Sequence, residues 1–229
     1  ANRIYDAGSY GFYAYFSSGN NANPNEFYNN MVGGNFRTSS AIPAYFQYSN
    51  YWNVYHNSLN LAFATSNAQY SVLTATNTTN LRIVNNILSY NATSGSGLPL
   101  YSVNAQTAIN YNNYVNSANT NLLNVNGITY TAANYVGGGG YNANGFNTSN
   151  RDLSLTSATV KGDVTLGVTT DIDGQQRQTP PDIGADEYFG VMDIGIVAID
   201  SPTTNVFCGG NRNVVVKLRN FGNQTVSNA

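Results

Sequence analysis

Charge is what this sequence lacks most. Its 229 residues include 9 Lys or Arg, 11 Asp or Glu and one His, so 9% are charged, where an ordinary soluble domain has roughly 25%. The few scattered basic residues form no Lys/Arg stripe of the kind that binds nucleic acid or an anionic membrane. Runs of 18 or more apolar residues are missing as well. We therefore predict no nucleic-acid partner and no membrane-spanning segment.

Carboxylates are missing from the whole middle of the chain, where the next acid after Glu26 is Asp152. Glycoside hydrolysis normally needs two carboxylates that face each other. A lyase needs acidic Ca²⁺ ligands and a basic residue, but Arg37 and Arg82 have no acid beside them. The sequence thus predicts no catalytic residue, metal site or cofactor in this part of the chain. An enzyme whose active site lies outside these residues remains an alternative.

Asparagine is abundant instead, with 38 copies, of which 32 lie within residues 1–150. Several lie in a degenerate repeat in which an apolar residue follows two positions after the aligned Asn. The spacings between the aligned residues are 28, 27, 29 and 27. The aligned residues are Asn2, Asn30, Asn57, Asn86 and Asn113.

Each repeat holds a strand around the aligned Asn and a second apolar strand further on. The second strands are predicted at Phe12 to Phe16, Ala44 to Tyr48, Gln69 to Leu73, Leu98 to Val103 and Ile128 to Tyr130. Such a unit buries its apolar face only when copies stack about 4.8 Å apart. We therefore predict a parallel β-helix of about five coils of 27–29 residues. In it each Asn amide donates to the next coil and forms an Asn ladder.

The repeated Asn-Asn followed by an apolar pair resembles the coils of right-handed parallel β-helix proteins of the pectate-lyase-like superfamily. The resemblance covers residues 1–150 and implies an all-β fold, a right-handed parallel β-helix with an Asn ladder. It implies little about activity, since the superfamily includes lyases, hydrolases, adhesins and plain spacers.

Residues 151–190 differ in composition from the coils. They contain Thr170-Asp171-Ile172-Asp173-Gly174 and Asp182-Ile183-Gly184-Ala185-Asp186-Glu187-Tyr188, which closely resemble the closing motif of secreted bacterial β-helix proteins. We predict that this closing segment covers the open core of the last coil. A Ca²⁺ loop around Asp171 and Asp173 is the weaker alternative, since tight turns also select Asp and Gly.

Residues 191–229 contain two further strand-like runs, at 193–199 and 214–223. They resemble the first strands of an immunoglobulin-like β-sandwich, of the kind common in multidomain surface proteins of Bacteroidetes. Two or three strands do not close such a sandwich, so we expect a fragment of a longer protein. Two states of Cys208 stay open, a disulfide with a partner beyond residue 229 or a free buried thiol. The resemblance also implies an extracellular or cell-surface location, export by the type IX secretion system and an outer-membrane translocon as a transient partner.

Aromatic residues supply the candidate binding site, with 18 Tyr, 10 Phe and one Trp. Rings that face outward on successive coils would form a row suited to stacking on sugars or to contacts with other surface molecules. The alternative is that the rings brace the coils, and the sequence does not say which tyrosines face outward. His56 is interpreted as a substitute for an amide in a polar row. Rings that recur near the second strands include Tyr13, Tyr15 and Tyr51, and the candidate ligand-binding residues are Tyr45, Tyr48, Trp52, Tyr70 and Tyr101.

These observations predict a non-catalytic adhesin or binding scaffold that recognises glycans or other cell-surface molecules. A polysaccharide lyase or glycoside hydrolase with its active site on other coils is one alternative. A passive structural stalk is the other.

Overall fold

A computed structural model gives the architecture of the chain, which folds as two units, residues 1–188 and 189–229. No helix in the described part of the chain is long and apolar enough to cross a membrane. The structure describes residues 1–34, 36, 40–62, 71–91, 95–118, 120–133, 139–141, 153–156, 161–190, 193–201 and 213–222.

The first unit is a stack of coils whose strands form three sheets, which we name A, B and C and which are parallel except for one antiparallel pair in sheet B. Sheet A contains β1 (Asn2–Tyr5), β4 (Asn30–Gly33), β7 (Ser58–Leu61), β10 (Ile87–Tyr90), β13 (Asn112–Asn116) and β16 (Gly139–Tyr141). Sheet B contains β2 (Tyr10–Tyr15), β5 (Ile42–Gln47), β8 (Leu73–Thr76), β11 (Leu100–Ser102), β14 (Asn121–Val125) and β15 (Ile128–Thr131). Sheet C contains β3 (Asn25–Tyr28), β6 (Trp52–Tyr55), β9 (Leu81–Val84) and β12 (Ala108–Asn110).

The predicted parallel β-helix is confirmed. The chain visits sheets C, A and B in turn, and each strand pairs in parallel with its copy in the next coil. The four strands of sheet C define four complete coils, with partial coils before and after them. The prediction of about five coils was therefore too high by one.

Each coil contains three strands, whereas the sequence predicted two. The strand expected around the aligned Asn is divided by one residue with a positive φ, which bends the chain from sheet C into sheet A. These bend residues are Asn29, His56, Asn85 and Tyr111. Asn and His enter this region more readily than most residues. Period-two alternation continues across so short a bend, so the pattern alone did not reveal it.

The Asn ladder lies directly after the bend, either on the first residue of a sheet A strand, as Asn30 of β4, or on the residue just before it, as Asn57 and Asn86 before β7 and β10. Asn30 Nδ2 donates to Asn57 Oδ1 (2.9 Å), and Asn57 Nδ2 donates to Asn86 Oδ1 (2.9 Å). Exposed Asn2 donates to Asn30 in the same way. Each inner amide also accepts a backbone N–H of the neighbouring coil, as Asn57 Oδ1 does from Asn30 N (3.0 Å). The ladder therefore satisfies polar groups that are buried in the stack.

In the fourth coil the ladder residue is Asn112, and the prediction of Asn113 was wrong by one position. Asn86 Nδ2 donates to Asn112 Oδ1 at 3.0 Å, while Asn113 pairs with Ile87. The bend of this coil falls on Tyr111, so the spacing shortens and the gapless alignment slips. The buried Oδ1 of Asn113 has no hydrogen-bond partner among the described residues.

The core is a narrow apolar column between the three sheets. Its residues repeat at equivalent positions of successive coils, as Val54 and Ile83 do on sheet C. The largest fully buried side chains include Phe46, Leu59, Leu88, Tyr90, Leu100 and Tyr114.

Regular coiling ends on sheet B with an antiparallel hairpin. Strand β15 turns back on β14 through Asn126 and Gly127, both of which have positive φ. Asn-Gly is typical of such two-residue turns. The sequence had predicted Ile128 to Tyr130 as the next parallel strand, because it missed β14. The hairpin gives sheet B a short, turned-back edge in place of a further coil.

Residues 153–156 and 161–188, which we name the lateral segment, lie along the side of the coils. Ile183, Ala185, Leu153 and Leu155 form a second apolar cluster with Met31 and Ile87 of sheet A. The sequence predicted a cover over the end of the last coil, but these described residues instead cover the outer face of sheet A. The prediction erred because polar turns suit either place.

Close packing fixes the lateral segment against the coils. Gly184 has a φ of 105°, and a Cβ built there would lie 2.6 Å from Ile87 Cδ1. Its neighbour Ala185 N donates to Ser58 Oγ at 3.0 Å. Glycine is therefore required at this position by conformation and by space.

The second unit contains one antiparallel pair in its described residues, β17 (Ile194–Ser201) and β18 (Val215–Asn220). Both predicted strand regions exist, while the immunoglobulin-like sandwich stays a prediction. Cys208 lies outside the described residues.

Candidate functional site

The outer face of sheet B carries a row of aligned side chains, one from each coil. The register pairs Tyr13 with Tyr45, Tyr45 with Thr74, Thr74 with Tyr101, and Tyr101 with Asn124. The intervening residues, such as Phe46 and Leu73, point into the core and are fully buried. Strand alternation therefore places aromatic and polar side chains on one outward face.

The rings at the start of this row stack on each other. The Tyr13 and Tyr45 rings are 5.1 Å apart with an interplanar angle of 16°, and Tyr10 stacks on Tyr13 at 4.9 Å. At the next bend Phe16 stacks on Tyr48 at 4.7 Å. We name these rings, together with Tyr15 and Tyr101, the aromatic face. Phe16 is 67% exposed and Tyr15 is 53% exposed, so the face presents apolar rings to solvent.

Hydrogen bonds hold two of these rings in place. The Tyr45 hydroxyl lies 2.9 Å from Thr76 Oγ1 in the next coil. The Tyr13 hydroxyl donates to Gln47 Oε1, again one coil further on. Gln47 and Thr76 belong to a second outward row that also contains Tyr15. A ring whose tilt is already fixed loses little conformational entropy when a ligand stacks on it.

A cavity of about 510 Å³ lies beside these rings, between Tyr45 and Tyr101. Its volume is in the range of small-molecule sites. Its lining is aromatic, aliphatic, hydroxyl or amide in character, with no charged side chain among the described residues. The lining residues are Tyr10, Ser40, Ile42, Tyr45, Ser71, Thr74, Thr76, Ser96, Leu98, Tyr101 and Asn124.

The structure places the five predicted ligand-binding residues differently. Tyr45 and Tyr101 lie in the outward row and line the cavity, and Tyr48 flanks them at the bend. Trp52 is in the core, 8% exposed, where its ring packs 5.4 Å from Phe46 and its Nε1 donates to Ser17 O. Its inclusion was therefore wrong. Tyr70 lies outside the described residues.

Two residues of the site were missed at the sequence level. Thr74 and Thr76 lie on the outward side of β8 and line the cavity. The alternation Leu73-Thr74-Ala75-Thr76 signals an outward polar pair, but the predicted strand ended at Leu73.

A cluster of charged residues lies elsewhere, within the lateral segment. Arg177 is 6% exposed, and its Nη2 donates to Asn29 Oδ1, Gly184 O and Ala185 O. Its Nη1 lies 3.2 Å from Glu187 Oε2. Lys161 Nζ pairs with Asp182 Oδ1 at 2.8 Å. These contacts hold the lateral segment together and attach it to Asn29, one of the bend residues. The charged cluster therefore has a structural role.

The carboxylates of this region are occupied with backbone donors. Asp171 Oδ1 accepts Asp173 N and Gln175 N, and Asp186 Oδ2 accepts Leu155 N at 2.6 Å. Burial raises the pKa of Asp186 to about 6. No group of three His, Cys, Asp or Glu placed to hold a metal ion occurs among the residues that the structure describes. The Asp171 turn supports the interpretation as a hydrogen-bonded turn.

His56 is one of the bend residues and lies between the coils and the lateral segment. It aligns with Asn29 and Asn85, as expected for a substitute for an amide in a polar row. Asn85 Nδ2 is 3.0 Å from His56 Nε2, and His56 Nδ1 is 3.3 Å from Gly184 O. These partners suit a neutral ring that accepts at Nε2 and donates at Nδ1. Burial, with the nearby positive charge of Arg177, lowers the pKa of His56 to about 3. The imidazole therefore acts as an uncharged polar bridge.

Comparison with protein-family models, with curated proteins and with solved structures finds no match to this chain. Function must therefore be inferred from the geometry of the chain itself.

Proposed function

We propose that this chain is a non-catalytic binding scaffold, in which the rigid β-helix presents the aromatic face of sheet B to glycans. The observation that supports this most is the stack of exposed tyrosines beside a cavity without charged lining among the described residues. Flat rings offer apolar faces to sugar C–H groups, while neighbouring hydroxyls and amides suit sugar hydroxyls.

The composition of the coils favours binding over cleavage. Apart from Tyr10, the described residues that line the cavity lie between Ser40 and Asn124. The sequence holds no Asp or Glu between Glu26 and Asp152, so this stretch supplies neither a carboxylate pair nor an acidic metal site. Glycoside hydrolysis by its common route needs two such carboxylates on either side of the scissile bond.

A paired binding and cleavage assay tests the proposal. The full chain is incubated with immobilised polysaccharides, while the release of reducing ends is measured in parallel. Retention without product release supports a binding scaffold, and retention should weaken when Tyr45 and Tyr101 are both replaced by Ala. Tyr28→Ala is the matched control, since Tyr28 is a similarly exposed tyrosine (39%) of sheet C. Product release would overturn the proposal, and no retention on any polysaccharide would favour a passive stalk.

The cellular setting is a further part of the proposal. We propose that the scaffold is displayed outside the cell as a type IX secretion cargo, with the outer-membrane translocon as its transient partner. The support is the resemblance of residues 170–188 and 191–229 to segments of secreted bacterial surface proteins. Antibody labelling of intact cells that express the protein should be positive, and should disappear when the translocon is deleted. Labelling only after cell lysis would contradict this part.

A further inference from the structure

The outward row of sheet B is interrupted at one position. Tyr13, Tyr45 and Tyr101 carry rings, but Thr74 between Tyr45 and Tyr101 is small, and it forms part of the cavity lining. Strands in a sheet lie about 4.8 Å apart, so the backbones at Tyr45 and Tyr101 lie about 9.6 Å apart, and the Tyr45 hydroxyl leans towards Thr76 Oγ1 on the strand between them. The two rings therefore border a slot whose floor is Thr74.

The width of this slot suits a single ring. Carbon atoms in contact lie about 3.5–4.0 Å apart, so a flat ring between two others needs about 7–8 Å. A saturated sugar ring is thicker than an aromatic ring and fills more of the gap, while two stacked rings would not fit. One face of Tyr45 already contacts Tyr13 at 5.1 Å. Its other face, on the side of Thr74, is the one left for a ligand.

The lining selects for an uncharged ligand. The described polar groups of the lining are hydroxyls of serines, threonines and tyrosines and the amide of Asn124, with no cation among them. Burying a carboxylate or sulfate without a partner costs several kcal/mol.

The Thr74 hydroxyl is already used within the fold. Thr74 Oγ1 donates to Ser71 O, and the residue is 5% exposed. The Tyr101 ring is 38% exposed. A ligand in the slot would thus find a closed floor and, at Tyr101, a wall that solvent can reach.

We propose that the slot between Tyr45 and Tyr101 takes one uncharged pyranose ring, so that the ligand is a neutral glycan and not an acidic one. This inference rests on the proposed function and narrows it to a substrate class. Thr74 forms the floor and limits how deeply the sugar enters the slot. The rings of Tyr45 and Tyr101 stack on the two faces of the sugar.

Calorimetric titration of the full chain tests this. The probes are neutral hexasaccharides of glucose, mannose and galactose, with hexagalacturonate as an anionic probe of equal length. Thr74→Tyr fills the slot with a ring, whereas Thr74→Ser keeps it open. We expect a neutral hexasaccharide to bind the wild type and Thr74→Ser, and to bind Thr74→Tyr about tenfold or more weakly. Tyr101→Leu changes an exposed position and should weaken binding as well. This variant replaces Thr74→Tyr in the test if Thr74→Tyr does not fold.

Each other outcome has a separate meaning. Binding of hexagalacturonate alone, or equal affinity of the wild type, Thr74→Tyr and Tyr101→Leu for the neutral probe, would overturn the slot while leaving a glycan-binding scaffold in place. No binding of any hexasaccharide or polysaccharide would overturn both the slot and the proposed function.

Discussion

The outer faces of sheets A and B are built from opposite kinds of side chain. The face of sheet A is covered by the lateral segment, and beside this contact lie buried Arg177, Asp182 and Glu187. The face of sheet B is exposed and, in its described part, carries rings and hydroxyls without charge. Perturbed titratable groups are often used to locate active sites, but ion-pair networks in a fold perturb pKa values too. In this chain the buried charged groups mark a structural contact, which lies away from the cavity of the candidate binding surface.

The largest effect in this comparison should follow from Arg177→Met. The substitution removes the nearer cation of buried Glu187 and leaves only Lys161 Nζ, 3.8 Å from Glu187 Oε1. Breaking a buried ion pair costs about 3–5 kcal/mol. Urea unfolding monitored by circular dichroism measures the loss. Arg82→Met is the control, because exposed Arg82 contacts the Tyr55 ring at 5.4 Å and its loss should cost about 1 kcal/mol or less. Equal losses would show that the lateral segment does not depend on its buried charges.

The next effect separates two adjacent asparagines. Asn112→Ala removes the acceptor of the buried Asn86 backbone N–H, whereas Asn86 Nδ2 keeps Val54 O and Val84 O as acceptors. A buried unsatisfied donor costs about 1–3 kcal/mol. Asn113→Ala removes an Oδ1 that has no partner among the described residues, so its cost should be about 1 kcal/mol or less. The free energy of unfolding of the two variants checks the register of the fourth coil. A larger loss of stability for Asn113→Ala than for Asn112→Ala would show that Asn113 is the ladder residue.

His56 should give the protein a measurable sensitivity to acid. Its pKa is about 3 in the fold and 6.5 in the unfolded chain, so the unfolded state binds the proton first. Stability therefore falls as the pH drops from about 6.5 towards 3. His56→Asn removes this slope, because Asn occupies the same bend position in Asn29 and Asn85. The stability of the wild type relative to this variant should fall by roughly 2 kcal/mol between pH 7 and pH 4.5.

Asp186 provides the opposite slope. Its pKa is raised from 3.8 to about 6 by burial, so its contribution to stability is present below pH 3.8 and is lost as the pH rises through 6. Asp186→Asn should therefore gain stability relative to the wild type when the pH is raised from 4 to 7. Denaturant unfolding at the two pH values measures this. Slopes of the same sign for His56→Asn and Asp186→Asn would contradict the assigned environments.

The smallest effect on stability should come from the aromatic face. Tyr101→Ala removes a ring that is 38% exposed, and we expect a change of about 1 kcal/mol or less in the free energy of unfolding. Tyr90→Ala, at a fully buried tyrosine of sheet A, should cost about 3–5 kcal/mol. A thermal unfolding scan of both variants distinguishes a surface kept for binding from one that braces the coils. Similar losses would favour bracing.

Most of the fold could be predicted from the sequence because a stacked solenoid repeats its requirements. Each coil needs an amide at the ladder and an apolar residue two positions later, so Asn30, Asn57 and Asn86 are visible without any structure. The shortened fourth coil was not visible, because one bend residue, Tyr111, replaces the usual Asn. The lateral segment was not placed, because its contacts join residues far apart in the chain, as Arg177 and Asn29 are.

The candidate site was only half predictable. Tyr45 and Tyr101 follow the alternation of their strands, so the sequence could identify them as members of one row. Trp52 was misplaced because a strand begins directly after a bend, where the sequence does not fix which side faces inward. Thr74 was missed because the loop before β8 hides where that strand starts. Which side chains of a strand face outward depends on the register of that strand, and composition does not reveal the register.

The measurement that tests the central claim most directly is hydrogen exchange of the full chain with and without a bound glycan. We predict that added protection falls on the backbone amides of β5, β8 and β11 in sheet B, around Tyr45, Thr74 and Tyr101. The lateral segment around Arg177 should exchange at the same rate in both samples. Protection confined to residues 161–188, with sheet B unchanged, would contradict the account. It would mean that the glycan binds at the charged lateral segment and not at the uncharged face of sheet B.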